Sequence, residues 1–453
     1  MSTLSKITAC PDVDGDGALL TPAHPSRRRF VENSLVLLAC SVSSVVVATL
    51  AAQTIPPVQS NPPVDPELCR NLLRIDRVMK AKGIHSDPNT GLEFFTGYSY
   101  NTLYDWDSYF EGIIQLELGW SPKYMINGIR IFLDMQREDG FIRRVNDPTP
   151  REEAEEMCKP FLAQIAILIG RRIGNMDWLR ENDYQRLRKF LLYWLTRLTK
   201  DKSGLCYWRS APHTGMDTQH ERAGHWKADY SNGVDLNCYL YRECLAFALI
   251  AEAMKKPGDA VLFRKSAEEK RSAIQKLCWN EADGFYYDVD NRTGHQIPVK
   301  SVAGFAPLWA GIATREQAKR LVREHLTNPA EFWRAFPVSS LAATEKGYTE
   351  SYLPDDVKGS LWRANTWIPT NYYIFHGLRS YGYHDVATRL ANVTYRMVLK
   401  DGDREYYTSD SAVGCGLDPF WGWSLLAYLM PWENDHNLDP TKLELSKPIV
   451  SAI

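Results

Sequence analysis

Apolar residues return every three or four positions along most of the chain after about residue 66. The segments 72–79 (LLRIDRVM) and 239–250 (YLYRECLAFALI) are typical. This spacing places the apolar side chains on one face of a helix. Polar first turns, such as those after Ser121 and Thr314, mark where further helices begin. The pattern therefore predicts a chain in which one helix follows another.

Alternating patterns typical of β-strands are few and short. The best is 285–289 (FYYDV), which we interpret as a hairpin within a loop. About a dozen helical segments fit into the remaining chain. That number is typical of an (α/α)6 toroid, in which six outer helices surround six inner ones. We therefore predict an all-α fold over residues 66–453, an (α/α)6 toroid with short β-hairpins in its loops.

The first 65 residues have a different pattern. A polar leader ends in SRRRF at 26–30, an uncharged stretch covers 34–52, and a proline-rich segment covers 54–66. This order resembles a twin-arginine export signal that is cleaved near Ala51, and predicts a periplasmic or extracellular protein. The alternative is an uncleaved single-pass membrane anchor, because roughly 19 uncharged residues can span a bilayer. We predict that residues 1–65 are one or the other, followed by a linker.

Charge and cysteine usage exclude several classes of partner. Lys and Arg total 53, Asp and Glu total 55, and the formal net charge is −2. No basic block follows the first 30 residues, so no nucleic-acid partner is expected. The nine cysteines are scattered singly, without the paired spacing of a zinc site or the density of a disulfide scaffold. We interpret Cys238 and Cys244, which lie in an apolar helical stretch, as core residues.

Metal and nucleotide cofactors are not expected either. His220 and His225 are five positions apart, which does not put them on one helix face as a metal-binding pair. Gly414 and Gly416 begin a dinucleotide-like pattern, but Pro419 occupies the position of its third glycine.

Tryptophan and tyrosine residues cluster at predicted helix starts and in loops. Their rings suit sugars, which offer apolar C–H faces and polar hydroxyl rims. Packing in the core is the alternative explanation, and we expect it for the aromatic residues in mid-helix. The clusters lie at 98–109, 207–208, 362–367 and 421–423.

Four segments place charged residues among these aromatics. Taken singly, each has an ordinary structural explanation: Asp107 could cap a helix, Asp217 could lie in a turn, and Glu405 could be a surface charge. The segments are YDWDSYF at 104–110, HTGMDTQHER at 213–222 followed by VDLNCYL at 234–240, GSLWRANTWIPTNY at 359–372, and REYY at 404–407 followed by GCG at 414–416 and FWGWS at 420–424.

In this order, the four segments resemble the motifs of glycoside hydrolase families 37 and 63, which include trehalases and mannosylglycerate hydrolases. The resemblance runs from about Tyr98 to Met430 and implies a glycosidase on the predicted toroid. It implies that Asp217 is the general acid and Glu405 the general base. The residues that it implies for substrate binding are Tyr104, Trp106, Asp107, Gly215, Arg222, Trp362, Arg363, Trp367, Tyr406 and Trp421.

Two of these implied roles are more specific. Trp362 and Trp367 would form an aromatic wall, and Arg222 would contact substrate or steady a carboxylate through its planar guanidinium. Asp235 and Asn237 would brace the start of a helix rather than touch substrate.

The chain departs from the families' patterns at three places. Thr214 replaces the usual serine, and residues 364–365 read AN where GP is usual. Residues 95–102 (FTGYSYNT) lack the arginine and glutamate of the trehalase element that precedes YxWD. Trehalose is therefore the less favoured substrate, and we expect cleavage of an α-glucosidic or α-mannosidic bond in a carbohydrate.

The families work with inversion, which implies a protonated Asp217 and an ionised Glu405 that activates water. Burial against aromatics would raise the pKa of the acid, while hydrogen bonds from tyrosines and a nearby loop would keep the base charged. The two carboxyl groups would then stand about 6.5–9.5 Å apart.

Three alternatives remain open. The first is a trehalase. The second is a sugar isomerase or epimerase on the same fold, which would need a proton-transferring pair drawn from His213, His220 and His376. The third is a glycan-binding protein without catalysis.

Overall fold

The computed structural model describes residues 65–98, 101–147, 156–349, 361–449 and 451–452. Residues 1–64, which carry the export or anchor prediction, lie outside this range. None of the helices in the described ranges combines the length and the apolar character needed to cross a bilayer. The described residues belong to one compact unit.

Six helices form a closed inner ring, each touching the two that flank it. Their residues are buried almost all round, as expected of helices with neighbours on every side. In the first of them, α2, 12 of 13 residues are buried. The inner helices are α2 (Asp105–Glu117), α4 (Leu162–Ile173), α8 (Val234–Ala253), α10 (Ala306–Trp309), α12 (Ile368–Ser380) and α14 (Leu426–Asp435).

Six outer helices alternate with the inner ones along the chain. They bury a single stripe, as in α9, where only 6 of 21 residues are buried. The outer helices are α1 (Pro66–Lys82), α3 (Lys123–Asp134), α5 (Glu181–Arg197), α9 (Pro257–Leu277), α11 (Arg315–Arg320), which continues as a π-helix (Leu321–Leu326), and α13 (His384–Asp401). This arrangement confirms the predicted (α/α)6 toroid.

Short strands occupy the loops, as predicted. The FYYDV segment contributes to two separate small sheets rather than one hairpin, because Phe285 pairs with Asn280 while Val289 pairs with Asn232 and Gln296. The strands are β1 (Ile84–Ser86), β2 (Glu93–Phe95), β3 (Ser231–Asn232), β4 (Trp279–Asn280), β5 (Phe285–Tyr286), β6 (Asp288–Asp290), β7 (Gln296–Ile297), β8 (Tyr406–Tyr407) and β9 (Gly414–Cys415).

Two short helices, α6 (Ala211–Thr214) and α7 (His220–Ala223), lie in the long connection before α8. Because an outer helix returns the chain each time, the inner helices all begin at the same end of the ring. Two 3₁₀ helices, Val302–Phe305 and Trp423–Leu425, lead into α10 and α14 at that end.

The C-terminal segment 436–452 covers the other end of the ring. Three arginines of the inner helices hold it by donating to its carbonyl groups: Arg171 to Pro440 (2.6 Å), Arg242 to Thr441, and Arg379 to Leu438. This closed end lies about 18 Å from the starts of the inner helices, at 1.5 Å per residue of α2.

Candidate active site

A cavity of about 340 Å³ opens where the inner helices begin. Three carboxyl groups face it, together with aromatic rings from four separate stretches of the chain. The residues that line it are Tyr98, Tyr104, Trp106, Asp107, Arg144, Pro212, Gly215, Asp217, Trp362, Trp367, Glu405 and Trp423.

The start of α2 carries Tyr104, Trp106 and Asp107 into this cavity. Asp105, between them, turns away and anchors the helix start. Its carboxylate accepts from the Trp106 N–H (2.7 Å) and from the Lys159 N–H (2.8 Å), and it pairs with the buried Lys159 ammonium at 3.2 Å. Burial opposes the charge on Asp105, but Lys159 and Arg144 outweigh it, so its pKa is lowered. The ionised Asp105 carboxylate therefore fixes the backbone N–H of Trp106 at the start of α2.

Asp107 is a buried carboxyl group at the cavity wall. Burial raises its pKa to about 7, against a hydrogen bond from the Tyr98 hydroxyl that lowers it. Tyr98 is thus part of the cavity. The sequence predicts it only as one of the clustered aromatic residues.

The loop that carries Asp217 passes close behind Trp106. Ser210 caps α6 by accepting from the His213 N–H (3.1 Å), and Gly215 ends that helix in the left-handed region, with φ of +82°. A Cβ atom at Gly215 would lie 2.9 Å from the Trp106 ring. Glycine therefore allows both the turn and the approach, and Asp217 follows half-buried at the cavity.

Two stacked tryptophans form the predicted aromatic wall. The rings of Trp362 and Trp367 are 3.8 Å apart and nearly parallel, at 7°. Tyr406 continues the stack behind Trp367, at 4.6 Å and 17°. Trp423 crosses Trp367 edge to face at 5.9 Å and completes the wall.

Glu405 precedes the hairpin of β8 and β9. The Leu417 N–H donates to its Oε2 at 3.0 Å, and a Cβ atom at Gly416 would lie 2.4 Å from the same oxygen. The sequence predicts that hydrogen bonds from tyrosines and a nearby loop keep this carboxyl charged. Burial outweighs the Leu417 bond, and with the negative charges of Asp217 and Asp107 it raises the pKa of Glu405 to about 7. The group therefore holds its proton more readily than an exposed glutamate does.

Arg144 is a cavity residue that sequence reasoning missed. One of its terminal nitrogens donates to Glu156 (2.9 Å) and to the Pro212 carbonyl (2.7 Å). Its Nε is buried and has no hydrogen-bond partner among the described residues. The side chain is 7% exposed and lines the cavity, so its positive charge lies beside any bound molecule.

Two predicted substrate-binding residues are buried elsewhere. Arg222 does not line the cavity, because it donates to Asp235 (2.6 Å) and Asp288 (2.7 Å) beneath the loop of Asp217. Its second predicted role was to steady a carboxylate. It does so for Asp235 and Asp288, which do not line the cavity. Tyr406 stands one layer behind the wall, in β8.

Two others lie outside the cavity wall. Arg363 donates to Glu221 (2.9 Å) and to the Gly347 carbonyl (2.8 Å). Trp421 donates to the Thr96 carbonyl (3.0 Å) and lies under the Lys82 ammonium. None of Arg222, Arg363 and Trp421 is among the residues that line the described cavity, and their contact with substrate stays a prediction.

Histidines do not contribute to the described cavity lining. His213 is buried behind it, where Trp194 stacks on it and burial lowers its pKa to about 4. His376 lies at the closed end beside Glu433, at 2.9 Å. His220 stacks on His225 at 4.0 Å. The described residues contain no cluster of three or more His, Cys, Asp or Glu side chains able to hold a metal ion.

Residues expected to be structural are so. Asp235 accepts from the Trp208 indole (2.9 Å) at the start of α8, and Asn237 donates to the Gly233 carbonyl (2.8 Å) one turn earlier. Cys238 and Cys244 are fully buried in α8. What remains at the cavity is acid–base chemistry from carboxyl groups beside aromatic faces, an arrangement suited to sugars.

Comparison with known proteins gives a consistent family assignment. Residues 100–424 match the sequence model of the mannosylglycerate hydrolase MGH1-like glycoside hydrolase domain. The cytosolic neutral trehalase of Kluyveromyces lactis is 25% identical over 391 residues, which cover 68% of this chain and 50% of that protein. The mannosylglycerate hydrolase of Thermus thermophilus is 28% identical over 246 residues, 54% of this chain and 51% of that protein. The chain thus spans about half the length of these relatives.

Solved structures agree on the fold. A mannosylglycerate hydrolase from Thermus thermophilus in complex with Tris has a TM-score of 0.62 and 19% identity, covering 80% of this chain and 99% of that one. The neutral trehalase of Saccharomyces cerevisiae has a TM-score of 0.60 and 19% identity, covering 78% and 76%. Both likenesses support the toroid.

Proposed function

Since the chain belongs to the family of mannosylglycerate hydrolase MGH1-like glycoside hydrolase domains, we propose that it hydrolyses an α-glycosidic bond with inversion. Asp217 is the general acid and Glu405 the general base. The observation that carries the proposal is that these two carboxyl groups, from segments far apart in the chain, line one cavity beside the wall of Trp362 and Trp367.

The chemistry divides between the two carboxyl groups. Asp217 protonates the departing oxygen, while Glu405 takes a proton from the water that attacks the sugar carbon. A base works best when its pKa lies near the working pH, and burial brings the pKa of Glu405 to about 7. The Leu417 N–H orients this carboxylate by its bond to Oε2.

The substrate is a small α-mannoside or α-glucoside whose departing part carries an acidic group. A cavity of about 340 Å³ is near the lower limit for small-molecule sites and suits a disaccharide-sized molecule. Arg144 brings the positive charge of its guanidinium group to the lining of the cavity. Guanidinium groups favour carboxylates, and relatives in this family are named for mannosylglycerate.

Incubation of the purified protein with α-mannosylglycerate, α-glucosylglycerate, trehalose and the two methyl α-glycosides tests this proposal. We expect free sugar from a glycerate-linked substrate, with the β-anomer appearing first in proton NMR spectra. Release of the α-anomer first would overturn inversion and recast Glu405 as a nucleophile. No hydrolysis of any member would overturn the glycosidase.

A trehalase is the second candidate, and the match to a neutral trehalase over 391 residues favours it. Preferred cleavage of trehalose in the same panel would establish it. Arg144→Met separates the two, because it should raise KM about tenfold or more for an acidic substrate and leave that for a methyl glycoside unchanged.

We also propose that the chain is exported by its arginine-rich leader, on the sequence pattern alone. Mature protein isolated from its host would then begin between about residues 52 and 66. Recovery of an intact N-terminus in the membrane fraction would favour the anchor.

A further inference from the structure

Gln219 lies two residues after Asp217, and its side chain is fully committed inside the protein. Its Nε2 donates to the Trp362 carbonyl (2.9 Å) and to the Ser340 carbonyl (3.0 Å). Its Oε1 accepts from the Ser301 hydroxyl (2.7 Å). Only 1% of the residue is exposed, so water does not compete for these bonds.

These bonds join the loop of Asp217 to the aromatic wall of the cavity. The carbonyl that Gln219 holds belongs to Trp362, the tryptophan at the inner face of the wall. Thr218 adds a second tie to the same residue, because its hydroxyl accepts from the Trp362 N–H at 2.9 Å. Thr218 and Gln219 therefore bind the backbone N–H and the backbone carbonyl of Trp362.

The other side of the loop is fixed independently. Gly215 lies against the Trp106 ring, and Arg222 donates to the Met216 sulfur at 3.3 Å. Asp217 thus stands between two anchored points, one tied to Trp106 and the other to Trp362. Proton transfer demands placement within a fraction of an ångström, and a 1 Å displacement can lower a rate about a hundredfold.

We propose that Gln219 is a positioning residue for the general acid: it holds Asp217 in register with the tryptophan wall, so that its proton meets the oxygen of the bond being cleaved. Gln219 lines no part of the described cavity and acts only through Asp217 and Trp362. This inference rests on the proposed function.

Substrates that differ in their need for an acid give the test. The leaving group of an alkyl α-glycoside is an alkoxide, which needs a proton from the general acid. The leaving group of an α-glycosyl fluoride is fluoride, which needs that proton far less. Gln219→Met keeps the size of the side chain but removes all three hydrogen bonds. We expect kcat on the alkyl glycoside to fall about tenfold to a hundredfold, with KM little changed and the fluoride affected less than about threefold.

Gln296 provides a matched control away from the cavity. Its side chain makes the same three kinds of bond, donating to the carbonyls of Leu277 (2.9 Å) and Trp279 (3.0 Å) and accepting from Asn280 (2.9 Å). Gln296→Met should leave both kcat values unchanged. Ser301→Ala removes one bond from Gln219 and should give the same selective loss at smaller size, even if Gln219→Met fails to fold.

The positioning role of Gln219 and the proposed function are contradicted by different results. An equal loss on both substrates, or no loss in Ser301→Ala and Gln219→Met, would overturn the positioning role. If the unaltered protein hydrolysed neither substrate, the proposed function would fall first.

Discussion

The two ends of the inner ring both bury carboxyl groups with raised pKa values, but they differ in what surrounds them. At the open end, Asp107 and Glu405 face a cavity, and burial raises the pKa of each to about 7. At the closed end, burial raises the pKa of Glu117 well above its usual value, and the adjacent Glu433 raises it further. Tyr372 donates to Glu433 at 2.6 Å in the same buried cluster.

The difference shows that a raised carboxyl pKa does not by itself mark a catalytic site. The closed end is packed and sealed, since the carbonyl of Glu117 accepts from the Ala452 N–H of the C-terminal segment at 2.6 Å. The open end adds access, aromatic faces and three carboxyl groups around one cavity. Each of the following measurements can strengthen or break this contrast.

The largest effect should come from replacing either of the two proposed catalytic carboxyl groups by its amide. Asp217→Asn and Glu405→Gln should each lower kcat by about two to four orders of magnitude, because each loses one proton transfer. Glu117→Gln is the matched control at the closed end and should stay within about twofold. Unchanged turnover in Asp217→Asn or Glu405→Gln would remove that residue from the mechanism.

The next effect concerns stability at the closed end. Arg242 lies 3.8 Å above the Trp309 ring and donates to the Thr441 carbonyl and to Gln164 at 3.0 Å. Arg242→Met should lower the free energy of unfolding by about 2–4 kcal/mol, because buried acceptors lose their donor.

Guanidinium denaturation measures this loss. Arg363 gives the comparison at the open end, since its pair with Glu221 is partly exposed. Arg363→Met should cost less than about 1 kcal/mol. An equal cost for both variants would contradict the picture of a sealed end.

The pH profile should report Glu405. Because the base acts when ionised, kcat/KM should fall about tenfold per pH unit below its pKa of about 7. Asp107 contributes to that raised pKa, so Asp107→Asn should move the acidic limb to lower pH, whatever it does to the maximum rate. An acidic limb near 4.5 in the unaltered protein would contradict the burial of Glu405.

The smallest effect is a pH dependence of stability from Glu117. Its pKa is raised in the folded protein, so folding favours its protonated form, and stability falls as pH rises above the unfolded value of about 4.5. Between pH 5 and 8, Tm should therefore fall less in Glu117→Gln than in the unaltered protein, with a difference of about 2–5 °C between the two falls. The exposed Glu268→Gln should show no such difference.

Much of the fold follows from periodicity, while parts of the site do not. Trp106, Asp107, Asp217 and Glu405 lie in recognisable motifs at helix starts and loops, so their shared location was predictable. Arg144 was not, because Arg143 and Arg144 are adjacent and alike. Isolated bridges from Val145 to Tyr104 and from Arg143 to Met157 decide which of them faces the cavity.

The position of Arg222 away from the cavity has a similar cause. Arg222 is paired by Asp288, which comes from a strand more than sixty positions later, and no local pattern announces that contact. The pKa of Glu405 depends on how deeply a loop buries it, which motif order does not express.

The C-terminal segment closes one end of the inner ring, and this affects how molecules can enter and leave the cavity. Beneath the cavity the ring is filled by Phe110, Phe161, Tyr239 and Trp309, and the C-terminal segment covers what lies below. The described residues therefore close the cavity at its inner end, and it opens where the inner helices begin. If the chain hydrolyses a glycoside as proposed, the sugar enters first and the departing fragment leaves before it. The released sugar then leaves through the same end, where it competes with the next substrate molecule.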